Sequence, residues 1–288
     1  MSFAHPADEF DAQSDAPVIR PITVAVANAK GGVGKTSIVA NVCGRLAVEG
    51  LRVLAIDLDP QGNLAHDLGY LDRTDRGRHL LGVLHGTSDP MTLTDVRPGL
   101  DVWCGGPRLA QSVGALIPQT ANPLEAALGR VADRYDVVLL DCPPSLGPLI
   151  DAALLTADEL IVPIRADHAS LHGLEMIGDK FREVRQANPG LELLGVTIFD
   201  VSRGATALAA EVAQAIRHGF GGENLRILPA IRRSERAAFE MRATGRLAHE
   251  YAADHASSVP AGNLADDYEA LTHQVIGVLQ AKGRLSSR

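Results

Sequence analysis

The sequence predicts an α/β fold: a doubly wound, mainly parallel sheet with helices on both faces. Three observations point to it. Short apolar, β-branched runs alternate with longer helical patterns along most of the chain. The short runs are continuously hydrophobic, which requires cover on both faces of the sheet. A glycine loop and several carboxylates fall at the ends of these runs, the edge where such sheets bind ligands.

Each element follows from its residues. "ITVAVAN" (22–28) reads as a buried strand running into the glycine loop, and residues 36–50 as a helix stopped by Gly50. "RVLAIDLD" (52–59) is a second strand, and "GLDVWCG" (99–105) a short one after a loop-rich stretch. "YDVVLLDCPP" (135–144) and "DELIVPI" (158–164) are two more buried strands. A helix over 168–188, a strand over 191–200, a helix over 205–220 and a strand "LRILPAI" (225–231) continue the alternation. A last helix covers about 263–282. Alternation of this kind gives right-handed crossovers between parallel strands. No repeat or linker interrupts it, so residues 21–288 are expected to form a single domain.

Bulk properties bound the function. With 288 residues, 46% of them hydrophobic, the chain can bury a large core. A net charge of −8 argues against an overall nucleic-acid coat. Residues 1–20 are acidic and read as a disordered tail. Residues 201–250 hold eight arginines and five glutamates, which is either a local basic face or a solvated helical surface. Cys43, Cys104 and Cys142 are widely spaced, as expected of reduced thiols in a cytoplasm. The first residues lack the apolar run of a secretory signal, and no apolar stretch approaches the ~18 residues of a membrane span.

The chemistry concentrates in "NAKGGVGKTS" (28–37). It ends like a phosphate loop, G-x-x-x-x-G-K-[ST], at Gly34, Lys35 and Thr36, but the first glycine is replaced by Ala29 and an extra lysine, Lys30, is present. Gly31, Gly32 and Gly34 let backbone N–H groups close around phosphate oxygens at a helix N-terminus. Lys35 is placed to neutralise β/γ oxygens and the Thr36 hydroxyl to ligate Mg²⁺. Asp57 and Asp59 end the second strand, and Asp141 ends "VVLLD" in the manner of a Walker B segment. In phosphoryl transfer one such carboxylate orders the metal shell and another orients the attacking water.

"AKGGVGKTS", "VLAIDLDPQGN", "YDVVLLDCPPSLG" and "ADELIVPIRADHASLHGL" resemble, in order and spacing, the ParA-type partition ATPases of the deviant Walker A group, which also includes MinD. The resemblance spans about residues 20–282. It implies a P-loop ATP hydrolase that needs Mg²⁺ and forms an ATP-dependent sandwich homodimer. ATP would be held by Lys30, Gly31, Gly32, Val33, Gly34, Lys35, Thr36 and Ser37, with Pro229 lining the adenine pocket. Lys30 would act across the interface on the partner's phosphates, and Lys35 and Thr36 within their own loop. Asp59 would position the hydrolytic water, and Thr36, Asp57 and Asp141 would hold Mg²⁺, partly through water.

The resemblance also implies nonspecific binding to duplex DNA through Arg203, Arg232 and Arg233, stimulation by a ParB-like adaptor, and a place on the nucleoid. Arginines on phosphates give affinity and salt dependence without base readout. Two departures stand out: Ala230 replaces an arginine common in the family, and residues 73–98 match it only weakly. Within the group, MinD-like members bind membranes through a basic amphipathic C-terminal helix. Here the last helix lacks Trp and Phe and carries basic residues only at its tip, so a packed helix and no membrane contact are expected. A relative that positions a protein cargo on the nucleoid is the other alternative.

Overall fold

The computed structural model describes residues 20–114, 122–202 and 225–285. Its frame is an eight-stranded sheet: β1 (Ile22–Val26), β2 (Val53–Asp57), β3 (Leu93–Arg97), β4 (Leu100–Trp103), β5 (Val137–Asp141), β6 (Glu159–Arg165), β7 (Glu192–Val201) and β8 (Ile231–Arg232). The spatial order is β3-β4-β2-β5-β1-β6-β7-β8. Only the β3–β4 pair at one edge is antiparallel; the others are parallel. The doubly wound, mainly parallel sheet expected from the sequence is therefore present.

Strand residues serve the two faces in turn. Val24, Val26, Val53, Ala55, Val137 and Leu139 belong to one buried cluster, and Ala25, Ala27, Leu54, Ile56, Val138 and Leu140 to the other. The first face is covered by α1 (Lys35–Val48) and α9 (Val259–Ala281), through Ile38, Val42, Leu46, Leu271, Val275 and Leu279. The second is covered by α3 (Arg78–Leu84), α4 (Pro123–Gly129), α5 (Pro148–Thr156) and α6 (His168–Val184). Among the described residues three further helices, α2 (Leu64–Asp67), α7 (Glu235–Thr244) and α8 (Ala248–Asp254), lie on connections.

Apolar residues at helical spacing on α9, from Leu264 and Tyr268 to Val278 and Leu279, are at most 4% exposed. Beyond its end, Lys282 donates to Glu159 at 2.6 Å and to Glu192 at 2.5 Å. The last helix is thus packed into the core, and Lys282 and Arg284 after it meet carboxylates on or beside the chain's own sheet. No described helix is long and apolar enough to cross a membrane.

Two expectations change. The strand over 225–231 is broken: Ile227 makes one bridge to Val196, and β8 proper is only Ile231–Arg232. Pro229 lies between them and has no N–H to give to a ladder. The edge hairpin β3–β4 includes a strand, Leu93–Arg97, that the sequence did not suggest, because its residues are half-exposed and Asp95 adopts a left-handed φ of 52°. The helix expected over 205–220 lies outside the described residues.

Candidate functional site: a two-lysine phosphate loop

The sheet order places β1 between β5 and β6, so the chain leaves β1 at the point where the winding reverses, the crevice where such sheets take ligands. Asp57 and Asp141 are register partners at the ends of β2 and β5, and Val26 is the partner of Asp141 on β1. The strand pairing alone therefore brings two carboxylates to the mouth of the loop that follows β1.

The loop has the backbone its sequence requires. Gly32 and Gly34 have φ values of 73° and 83°, a left-handed region that glycine enters without steric cost. Gly34 caps α1, and the ring of Phe199 at the end of β7 would stand only 2.3 Å from a Cβ placed there. The α1 N-terminus has no acidic residue in its first turn and no side-chain cap, so its N–H groups remain available to an anion.

Lys35 is 6% exposed, and its Nζ donates to the carbonyl of Lys30 at 3.0 Å across the loop. Burial lowers its pKa, while Asp141, Cys142 and Asp59 act to raise it. Lys30 is held differently. Its N–H donates to Asn28 Oδ1 at 2.9 Å, and Asn28 Nδ2 donates to the Pro163 carbonyl on β6. The Lys30 Nζ donates to Asp167 Oδ1 at 2.6 Å, just beyond the end of β6.

The carboxylates are strongly perturbed. Asp141 is fully buried and neither of its oxygens is closed off by a well-formed hydrogen bond. Burial pushes its carboxyl up to about 7, against the stabilising influence of Thr36 and Lys35. Asp57, also fully buried, is raised well above the usual carboxylate range by burial and by Asp141. The Asp59 and Leu64 N–H groups donate to its carboxyl at 2.9 and 3.4 Å. Asp59 is 6% exposed, and its side chain accepts from the Gln61 N–H at 2.8 Å.

Two buried carboxylates that repel each other, one without a well-formed hydrogen bond, beside an uncapped glycine loop and a buried lysine, fit a divalent cation and a polyphosphate. Among the described residues no three His, Cys, Asp or Glu side chains form a closed metal cage. A cation here would draw its remaining ligands from phosphate and water, as Mg²⁺ does.

The other expected site residues fall as follows. Gly31 and Val33 lie in the loop, with Val33 fully buried. The Ser37 hydroxyl, in the first turn of α1, donates to Asp67 Oδ2 at 2.9 Å, tying the start of α1 to α2. Pro229 is half-buried, and its carbonyl accepts from the Thr197 hydroxyl at 2.6 Å. Arg232 is bound through its guanidinium to Asp267 at 2.7–2.9 Å and to the Asn263 carbonyl at 3.0 Å. Arg233 reaches Glu235 at 3.1 Å and Asp200 at 3.5 Å. Both arginines therefore carry carboxylate partners in this state. Arg203 lies outside the described residues.

Several neighbours were not singled out from sequence. Gly105 packs so closely on Asp57 that an added Cβ would meet its carboxyl at 2.5 Å. Arg242 on α7 donates to Asn63 Oδ1 at 2.6 Å and lies 3.6 Å from Asp67, so it joins α7 to the segment that follows Asp59. Beside α1, a cavity of about 240 Å³ is lined by Ser37, Asn41, Phe199, Asp200, Arg232 and Tyr268 among others, and is a candidate for the nucleoside end of a ligand.

The chain is similar to known proteins over most of its length. Residues 22–193 match the AAA domain family. The chromosome-partitioning ATPase Soj of Thermus thermophilus is 39% identical over 208 residues, 69% of this chain and 76% of that protein. The chromosome partitioning protein ParA of Caulobacter vibrioides is also 39% identical, over 69% of this chain and 76% of its own length. Among solved structures, cobyrinic acid a,c-diamide synthase of Mycobacterium smegmatis with bound ADP and magnesium superimposes with a TM-score of 0.73 at 27% identity, covering 93% of this chain and 99% of that one. With its two-lysine loop and paired strand-end carboxylates, the chain belongs to the ParA/Soj family of partition ATPases, within the deviant Walker A group.

Proposed function

We propose that this protein is a Mg²⁺-dependent ATP hydrolase whose ATP-bound form is a sandwich homodimer. The dimer binds duplex DNA without sequence preference, and a ParB-like adaptor stimulates hydrolysis to drive partition of a chromosome or plasmid on the nucleoid. The observation that carries the reading is the division of labour between the lysines. Lys35 is turned into its own loop, whereas the Lys30 ammonium is not. A second cation whose ammonium is turned away from its own loop, and held by Asp167, is placed to be exchanged onto the phosphates of a partner, as an arginine finger is.

In this reading the backbone of residues 30–36, with Lys35, binds the phosphates. Thr36, Asp57 and Asp141 would hold Mg²⁺, which would offset charge on the β/γ oxygens. Asp59, held by the Gln61 N–H, orients the attacking water. Lys30 completes charge neutralisation only when two copies meet, so ATP binding is linked to assembly and hydrolysis to its loss. The packed α9 favours this reading over a membrane-bound one.

The DNA interface is assigned to Arg203, Arg232 and Arg233. Because Asp267 holds Arg232, DNA contact there requires that pair to open or to present only its outer N–H groups. Duplex retention measured with ATP, with ADP and without nucleotide, over a salt series, tests the proposal. Retention is expected with ATP alone and should fall steeply as salt rises. Equal retention in all three states, or none with ATP, contradicts it.

A further inference from the structure

Lys30 is moored to its own subunit along β6 and just beyond the end of that strand. Its N–H is fixed through Asn28 to the Pro163 carbonyl on β6, and its ammonium lies 2.6 Å from Asp167, two residues after β6 ends. The Asp167 N–H donates to the Arg165 carbonyl at 2.9 Å, so a tight turn fixes where that carboxylate stands. Gly173 of α6 approaches from the other side: a Cβ added there would stand 3.2 Å from the Lys30 Cβ and 2.9 Å from Asn28 Oδ1. The lysine stem is thus confined and its head engaged.

We infer that Asp167 is a positioning residue that parks Lys30 within its own subunit, so that assembly of two copies must first exchange this ion pair for the partner's phosphates. The inference rests on the reading of Lys30 as a lysine that acts in trans. Two features make the exchange reversible. The pair is partly solvated, with side-chain exposures of 25% and 42%, so it restrains the lysine only weakly. A substitute cation is already near, because Arg165 Nε stands 4.0 Å from Asp167 Oδ2. When Lys30 leaves, Asp167 is not left without a counter-charge.

Arg165 in turn pairs with Asp200, whose other oxygen lies 3.5 Å from Arg233. Alternating charges thus run from the phosphate loop across the ends of β6 and β7 to Arg233, just after β8. Departure of Lys30 redistributes partners along that row, with Arg165 moving from shared use by Asp200 towards Asp167.

Asp167→Asn keeps the size of the side chain and removes the charge that holds the lysine. An exposed ion pair of this kind is worth a factor of about 1.4 to 5 in an equilibrium constant. One such pair opens in each subunit, so the dimerisation constant with a non-hydrolysable ATP analogue should rise about 2- to 30-fold. Sedimentation velocity on the full chain, with wild type, Asp167→Asn, Lys30→Ala and the double variant, reads this directly. The inference predicts a gain for Asp167→Asn in the wild-type background and none in the Lys30→Ala background. Unchanged or weaker assembly of Asp167→Asn overturns it, as does a gain that persists without Lys30, since that assigns the effect to lost repulsion instead of a released lysine. Wild-type assembly by Lys30→Ala overturns the underlying in-trans reading itself, whatever Asp167→Asn does.

Discussion

Asp141→Asn is a direct probe of the strain stored at this site. In the folded protein burial pushes the Asp141 carboxyl up to about 7, against 3.8 for a free aspartate, and Thr36 and Lys35 offset only part of that rise. An acid whose folded pKa is raised favours folding fully below its unfolded pKa. It loses that contribution as pH climbs through the folded value. At 1.36 kcal/mol per pK unit, the raised pKa of Asp141 costs the ligand-free fold about 4 kcal/mol at pH 8, where the folded carboxyl is ionised, but only about 2 kcal/mol at pH 5, where it stays protonated. An isosteric amide removes this ionisation term and also relieves Asp57, whose pKa Asp141 raises. The variant should therefore be more stable than wild type without ligand, with an advantage about 2 to 3 kcal/mol larger at pH 8 than at pH 5. Urea unfolding at the two pH values, without nucleotide or Mg²⁺, measures the difference. With MgATP the ranking should reverse, because the carboxylate then meets a cation. A variant advantage that is the same at both pH values, or absent, refutes the electrostatic account of this pocket.

Further expectations follow from single contacts. Gly34→Ala places a methyl group in the Phe199 ring at a φ of 83°, so it should lose about 1–3 kcal/mol of stability and most nucleotide binding, read by thermal melting and calorimetric titration. Gly105→Ala pushes on Asp57 and should weaken Mg²⁺-dependent nucleotide binding more than Mg²⁺-independent binding; equal loss in both would separate Gly105 from the metal site. Leu271→Ala opens a cavity under the fully buried face of α9 and should cost about 2–5 kcal/mol, without inducing sedimentation with anionic vesicles in the presence of ATP. Arg233→Ala should reduce ATP-dependent duplex retention and its salt slope while leaving ATP affinity unchanged.

The sheet was legible because its buried strands carry unbroken hydrophobic runs, and "VVLLD" is buried at every position. The phosphate loop was legible because its chemistry is local: glycine dihedrals, a lysine and a helix start all lie within nine residues. Asp57 and Asp141 were readable as strand-end carboxylates, and strand register then made them neighbours. What the sequence did not reveal depends on distant pairs. Asp167 meets Lys30 across 137 positions, and Arg242 meets Asn63 across 179, with no local signature in either case. Gly105 sits in a short "CGG" run whose reason appears only when β4 pairs with β2 beside Asp57. Arg232 and Arg233, at and after the end of β8, were visible as charge, but their carboxylate partners on α9 and β7 were not.

The central claim is that ATP holds two copies together through Lys30. Sedimentation of the full chain with MgATP tests it most directly, comparing wild type with Lys30→Ala after calorimetry has shown that both bind ATP. Wild type should shift from monomer to dimer, and Lys30→Ala should bind nucleotide yet remain monomeric. A Lys30→Ala protein that dimerises on ATP as the wild type does would contradict the account.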